Sequence, residues 1–133
     1  MSNWNKVFAT HEEKQTLAIG DWLGDNFPGV ALPSTAALRK WVEIRYKDHW
    51  TCAQVVDVGP WTIDDDAYVL NGARPRAEIF KGEHCRVHDG GPLHQWKSNG
   101  AGIDLFPATA KALGLNLNEN AQVEWRFLGP RNE

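Results

Sequence analysis

Apolar and polar positions alternate most clearly at two places. Residues 41–46 read WVEIRY, with Val42, Ile44 and Tyr46 set against Glu43 and Arg45. That is the period of a strand buried on one face. Residues 122–128 repeat it: Val123, Trp125 and Phe127 alternate with Glu124 and Arg126. Lys47 to Trp50 reads as a turn, and the β-branched run Thr51 to Val58 returns as the second arm of a hairpin, ended by Gly59-Pro60. Ile103-Asp104-Leu105 is a brief apolar strand. Pro107 and Gly114 bracket a short helix over 107–113, Pro at its first turn and Gly just past its end. Residues 1–28 carry no strong period. They read as an irregular N-terminal segment, with a short strand at Val7–Ala9 and helical propensity over Glu12–Leu17. Residues 59–100 are rich in Gly, Pro, Asn and Asp and read as loops, with one short strand at Ala77–Phe80. So long a loop region in a compact domain is more often functional than idle.

The alternating strands belong to a repeat. GVALPSTAAL from Gly29 precedes VEIRY from Val42, and GIDLFPATAKAL from Gly102 precedes VEWRF from Val123. Each copy is strand, short helix, strand, and is too small to bury its own apolar face. Two copies interlocked about a pseudo-twofold axis would close a small barrel and remove its free edges. A Rossmann sheet would need a Gly-rich phosphate turn, which is missing. The copies differ where the first has Ala31 and the second Asp104. Asp104, flanked by Ile103 and Leu105 just before a helix, has two readings: a cap for that helix, or a carboxylate aimed into a cleft.

With 133 residues, the chain is long enough for one domain over 1–133 with a real core. A net charge of -3, with basic residues interspersed among acidic ones, argues against nucleic acid as a partner. The apolar runs are too short to span a bilayer. Met1–Lys14 lacks the basic and apolar regions of a secretory signal. Cys52 and Cys85 permit one disulfide at most, and free thiols are the favoured state in a chain that needs no staple.

Tryptophan is unusually frequent: Trp4, Trp22, Trp41, Trp50, Trp61, Trp96 and Trp125. Several must be core. Trp50, Trp61 and Trp96 fall where loops are expected, and indole rings at a cleft edge are platforms for sugar rings. Asp64-Asp65-Asp66 lacks the spaced ligands of a calcium loop and reads as a solvated acidic turn. His84, Cys85, His88 and His94 lack regular zinc spacing and read as a polar surface loop. No metal and no cofactor is expected.

VVDVGPW at 55–61 and NGAGIDLFPATAKALG at 99–114 resemble the double-psi β-barrel domains of the rare-lipoprotein-A type, a barrel also found in expansins, barwin-like proteins and related endoglucanases. The resemblance covers roughly residues 29–128. It implies an all-β fold, a six-stranded double-psi barrel with one or two short helices and a glycan-binding cleft across one face. It also implies that Asp104 is the general acid of members that are enzymes, and that Asp57 belongs to the Asp-x-Gly-Pro segment. Tyr68 and Arg74 fall where relatives place cleft-lining residues. Trp61, Trp96 and Asn99 complete the candidate substrate-binding set. The expected partner is peptidoglycan or another polysaccharide, met by a monomer in the periplasm or outside the cell. The family's early aromatic segment has only a weak echo in VFATHE at 7–12, and its histidine before the first helix is absent.

Cleaving a glycosidic bond needs a proton donor, which a carboxyl can be near neutral pH if an apolar surround raises its pKa. A hydrolase usually adds a second carboxylate. Asp57 is the candidate, unless it anchors the Gly59-Pro60 turn. A lytic transglycosylase manages with one. Three functions follow: a glycan-cleaving enzyme, a glycan-binding module of expansin type, or an interaction scaffold.

Overall fold

The structure is a computed structural model that describes residues 4–13, 16–21, 24, 26–116 and 118–128. Its strands are β1 (Asn5–His11), β2 (Thr16–Leu17), β3 (Gly20–Asp21), β4 (Gly29–Leu32), β5 (Trp41–Tyr46), β6 (His49–Val58), β7 (Ala101–Leu105) and β8 (Ala121–Phe127). The helices are a single 3-10 turn at Thr35–Ala37, then α1 (Asp66–Val69), α2 (Arg76–Ile79) and α3 (Pro107–Ala112). Six strands close a barrel in the order β1-β7-β4-β6-β5-β8, and β2 and β3 form a separate hairpin. Closure leaves no free edge in the barrel, which suits a fold assembled from short strands.

The repeat is the symmetry of the barrel. β1 runs parallel to β7 and antiparallel to β8; β6 runs parallel to β4 and antiparallel to β5. The halves meet through the antiparallel pairs β4–β7 and β5–β8. Exchanging β1 with β6, β7 with β4 and β8 with β5 therefore reproduces every pairing. Ala31 opposes Asp104, and Ile44 opposes Trp125, so the pseudo-twofold axis passes between these self-corresponding pairs. The repeated V-E-x-R pattern gives a symmetric pair of cross-strand ion pairs. Arg45 bonds Glu124 at 2.9 Å and Arg126 bonds Glu43. The ring of Trp4 lies 4.0 Å from the Arg45 guanidinium and 4.2 Å from that of Arg126.

Alternation decides what is inside. Val7, Ala9, Val30, Leu32, Val42, Ile44, Ala53, Val55, Ile103, Leu105, Val123 and Trp125 share one core. Burying each of the larger aliphatic side chains contributes about 1.5–3 kcal/mol. β4 and β7 are buried at every position, on both faces. Outside the barrel, Ala31 and Val56 are covered by Leu17 and Phe106, with Ile19 and Phe27 against them.

Several expectations give way here. The N-terminal segment is not irregular throughout, for β1 is a full barrel strand from Asn5 and the barrel begins well before residue 29. Its apolar inward positions are only Val7 and Ala9, too few to show a period in sequence. Thr16–Leu17 is a strand rather than helix; Lys14 and Gln15 of that stretch lie outside the described residues. Ala77–Phe80 is not a strand, because Arg76–Ile79 form α2: Pro75 begins it and the Asp65 carboxylate accepts the Arg76 N–H at 2.7 Å. The turn after β5 is two residues, and Trp50 sits in β6 opposite Arg45.

Candidate functional site

Asp104 points outward from β7, since its neighbours Ile103 and Leu105 face the core. It is nevertheless only 7% exposed. Thr10 on β1 is its register partner and donates a hydrogen bond from Oγ1 to Asp104 Oδ1 at 2.5 Å. The cap reading fails. The residue at the N-cap of α3 is Phe106, and no side chain caps that end. The helix is instead tied to the other repeat, with Thr109 Oγ1 donating to the Gly29 carbonyl at 2.8 Å.

Thr10, Asp104, Ala31 and Asp57 stand in one row across β1, β7, β4 and β6. Asp57 is buried, and its Oδ1 accepts the Ala18 N–H at 2.9 Å. This carboxylate therefore pins the β2–β3 hairpin to the barrel, a role other than the Gly59-Pro60 anchor expected from sequence. Two strand spacings separate it from Asp104, about 10 Å between Cα atoms.

One residue further along β1 and β7, His11 and Leu105 open a cavity of about 300 Å³, lined also by Glu12, Glu13, Pro107 and Asn118. It adjoins a shallower one of about 760 Å³ along α3, where Glu13 and Pro107 recur beside Asn26, Lys111, Leu115 and Asn116. The two share Glu13 and Pro107; the Thr10–Asp104 pair lines neither and lies one residue away along β1 and β7.

The remaining candidates divide. Trp61 and Asn99 meet directly, as the indole Nε1 donates to Asn99 Oδ1 at 2.8 Å. The Trp61 ring lies tilted against His94, centroids 4.5 Å apart. Trp96 joins them through its backbone N–H, which donates to His94 Nδ1 at 3.0 Å, and its own side chain is 63% exposed. Tyr68 lines, with Arg74, a pocket of about 350 Å³ at the Asn5 end of β1. It is fully buried, accepting the Trp125 indole N–H and donating to the Gly102 carbonyl, each at 2.8 Å. Burial pushes its phenol far above the ordinary range. A Cβ on Gly102 would sit 3.0 Å from that hydroxyl, so the packing requires glycine. Arg74 is exposed, pairs with Glu78 at 2.7 Å, and lies beside Asn5, at the other end of β1 from Thr10.

The acidic run is paired rather than solvated. Arg76 reaches Asp64, Asp89 and Asp65, the last at 3.7 Å, while Ser34 Oγ donates to Asp66 at 2.6 Å. Burial alone would raise Asp64, but the Arg76 hydrogen bond and charge and the Asp89 N–H hold it below its ordinary value. Burial pushes Asp65 up, only partly offset by Arg76. Cys52 and Cys85 are both free, and burial raises both thiols. His84 Nδ1 donates to the His94 carbonyl at 2.8 Å. Among the described residues, no three His, Cys, Asp or Glu side chains converge on a metal-sized space.

Sequence reasoning missed Thr10 and His94. Thr10 lies in the VFATHE stretch, whose alternation Val7-Ala9 against Thr10 was the available signal. His94 was grouped with its neighbours as loop, and only the fold places it on Trp61.

A closed six-stranded barrel of two strand-helix-strand halves, each holding one parallel pair and joined to the other through antiparallel pairs, is a double-psi β-barrel. The chain belongs to the family described as "Domain of unknown function (DUF8814)", which matches residues 3–125. Among solved structures it is similar to the Streptomyces papain inhibitor, with a TM-score of 0.52 and 15% identity over 96% of each chain. That likeness is one of fold. No curated protein matches.

Proposed function

We propose that this barrel cleaves glycan chains, with Asp104 as proton donor, in the manner of the rare-lipoprotein-A-type domains its motifs resemble. The observation that carries the reading is the Thr10–Asp104 hydrogen bond: a nearly buried carboxyl, not used as a helix cap, one residue from the His11–Leu105 pair that lines a cavity. The Thr10 hydroxyl fixes one oxygen of this carboxyl. In the first step the Asp104 proton passes to the glycosidic oxygen as its bond to the anomeric carbon breaks. The resulting carboxylate then takes the proton of a hydroxyl on the same sugar, whose oxygen closes an anhydro ring. One carboxyl suffices, in keeping with Asp57 being committed to the hairpin.

The test is mass spectrometry of products from purified peptidoglycan, intact and stripped of stem peptides, with Asp104→Asn as control. Anhydro ends made only by the parent protein support the proposal, and new reducing ends would replace it with hydrolysis. No products from either substrate would sink it.

A second reading, binding of a protein partner, is favoured by the segment Arg86–Leu93. Its ends bridge, Val87 N–H bonds the Pro92 carbonyl at 2.8 Å, and Arg76 holds Asp89. The tip carries Gly90-Gly91 beside exposed Leu93. A braced, projecting loop loses little entropy on docking, and the structurally similar Streptomyces protein is titled a papain inhibitor. Undiminished papain activity at micromolar concentrations of this protein would exclude that target.

A further inference from the structure

Trp61 holds a backbone conformation that side chains other than glycine rarely adopt, φ 69°. Three parts of the chain hold it there. Asn99 accepts the indole N–H, and the same Asn99 Oδ1 accepts the Ala101 N–H at 2.9 Å, which ties it to the start of β7. His94 packs on the ring. His94 is itself fixed, its N–H bonding the Cys85 carbonyl at 2.6 Å and its Nδ1 accepting from Trp96. An aromatic ring fixed this firmly in a half-exposed position is pre-organised for a ligand, because little side-chain freedom remains to be lost.

The surroundings define the ligand. Trp96, joined through its backbone N–H to the His94 that packs on Trp61, is exposed, as is Leu93. Exposed Gln95, Lys97 and Asn99 supply hydrogen-bond donors at the rim. Charges of both signs stand nearby: exposed Lys97, Lys81 bridged to Ser98, and exposed Glu83, whose carbonyl bonds the Ser98 N–H. An apolar aromatic face with a donor-rich, electrically mixed rim fits a neutral ring bearing hydroxyls rather than a polyanion.

We propose that Trp61, His94, Trp96 and Asn99 form a second glycan subsite, which grips a pyranose ring away from the Asp104 carboxyl. The ligand class rests on the function proposed above. Asn99 bonds the Ala101 N–H, and Ala101 lies three strand positions from Asp104 on β7, about 10 Å along the strand. One sugar ring cannot occupy both places. The domain therefore selects polymers over short fragments, the distal subsite holding the chain while Asp104 meets a bond further along it.

The test uses the full chain carrying Asp104→Asn, so that nothing is cut. Binding to an N-acetylglucosamine pentamer is followed by titration calorimetry, and binding to purified peptidoglycan by co-sedimentation. Trp96→Ala, at an exposed side chain that leaves the fold intact, should weaken binding roughly fivefold to tenfold, in line with the loss of one aromatic contact. Asn99→Ala, which frees the Trp61 indole, should do the same. Trp50→Ala removes an equally exposed indole on β6 and should bind as the parent does. Unchanged affinity in both Trp96→Ala and Asn99→Ala, or binding to neither probe by the parent, overturns the subsite. Cleavage by the unmutated protein would then still stand on its own. Trp96-dependent binding without any cleavage would keep the subsite and sink the catalytic role of Asp104.

Discussion

Ala31 and Asp104 face each other across the β4–β7 pair, at the point where the two repeats meet on their own pseudo-twofold axis. Each residue is the other's counterpart, yet one is a methyl group and the other a carboxylate. The asymmetry has a physical cause. Directly opposed residues in an antiparallel pair have Cβ atoms about 4.5–5.5 Å apart. Two buried carboxylates at that spacing would repel each other with little water to screen them.

Restoring the symmetry by Ala31→Asp should therefore destabilise the fold by about 3 kcal/mol or more, the scale of an uncompensated buried charge. The side chain would also have to displace Leu17 and Phe106, which cover Ala31. Urea denaturation at neutral pH measures this directly. A variant within about 0.5 kcal/mol of the parent would mean that the outer face of β4 is wetter than its burial implies.

The relationship also marks what the sequence could show. The repeat was legible because its two copies keep the same strand period and the same Glu-x-Arg spacing, which the fold turns into reciprocal ion pairs. β1 was not, since its inward side chains are only Val7 and Ala9, and its place is set by pairing with β7 and β8 more than 90 residues away. Asp104 stood out because β7 is otherwise apolar. Thr10, its partner, is marked only by the short alternation of Val7 and Ala9 before it. The burial of the Tyr68 hydroxyl was hidden for the opposite reason: the residue follows an acidic run in a loop-rich region, yet both hydrogen-bond roles of the hydroxyl are filled inside the fold. No local pattern announces that Trp125 and Gly102 supply those partners.

Tyr68→Phe tests that core arrangement. The change keeps the ring, which packs edge-on to Trp125 with centroids 5.9 Å apart. It removes the acceptor of the Trp125 indole N–H and the donor to the Gly102 carbonyl. Leaving two buried polar groups unpaired should cost about 2–3 kcal/mol, read as a lowered midpoint in thermal or urea unfolding. A change below about 0.5 kcal/mol would show that other groups take up both partners.

The clasp around Arg76 predicts two carboxylates of opposite pH dependence. Asp64 is depressed in the folded state, so the stability it contributes is present above its unfolded value, about 3.9, and is lost as pH falls through the folded value. Asp65 is raised, so its contribution is present below the unfolded value and lost as pH rises through the folded one. Relative to the parent, Asp64→Asn should lose stability as pH rises from about 3 to about 7, while Asp65→Asn gains over the same range. Denaturant titrations at several pH values check the signs. Parallel curves for both variants would show that Arg76 does not distinguish the two carboxylates.

Thr10 should act as a positioning residue for Asp104. Thr10→Val keeps the volume and the β-branched shape that suits β1 but removes the hydrogen bond to Asp104 Oδ1. An acid that has lost this hydrogen bond sits less well on the glycosidic oxygen, and small misplacements of catalytic groups cost up to about a hundredfold in rate. The expected result is a kcat for anhydro-sugar release reduced about tenfold to a hundredfold, with KM little changed, because Thr10 reaches the chemistry only through Asp104. Thr10→Ser restores the hydroxyl and should recover most of the rate. Equal losses in the Val and Ser variants would assign Thr10 to packing alone; a raised KM at constant kcat would place its hydroxyl on the substrate instead of on the acid.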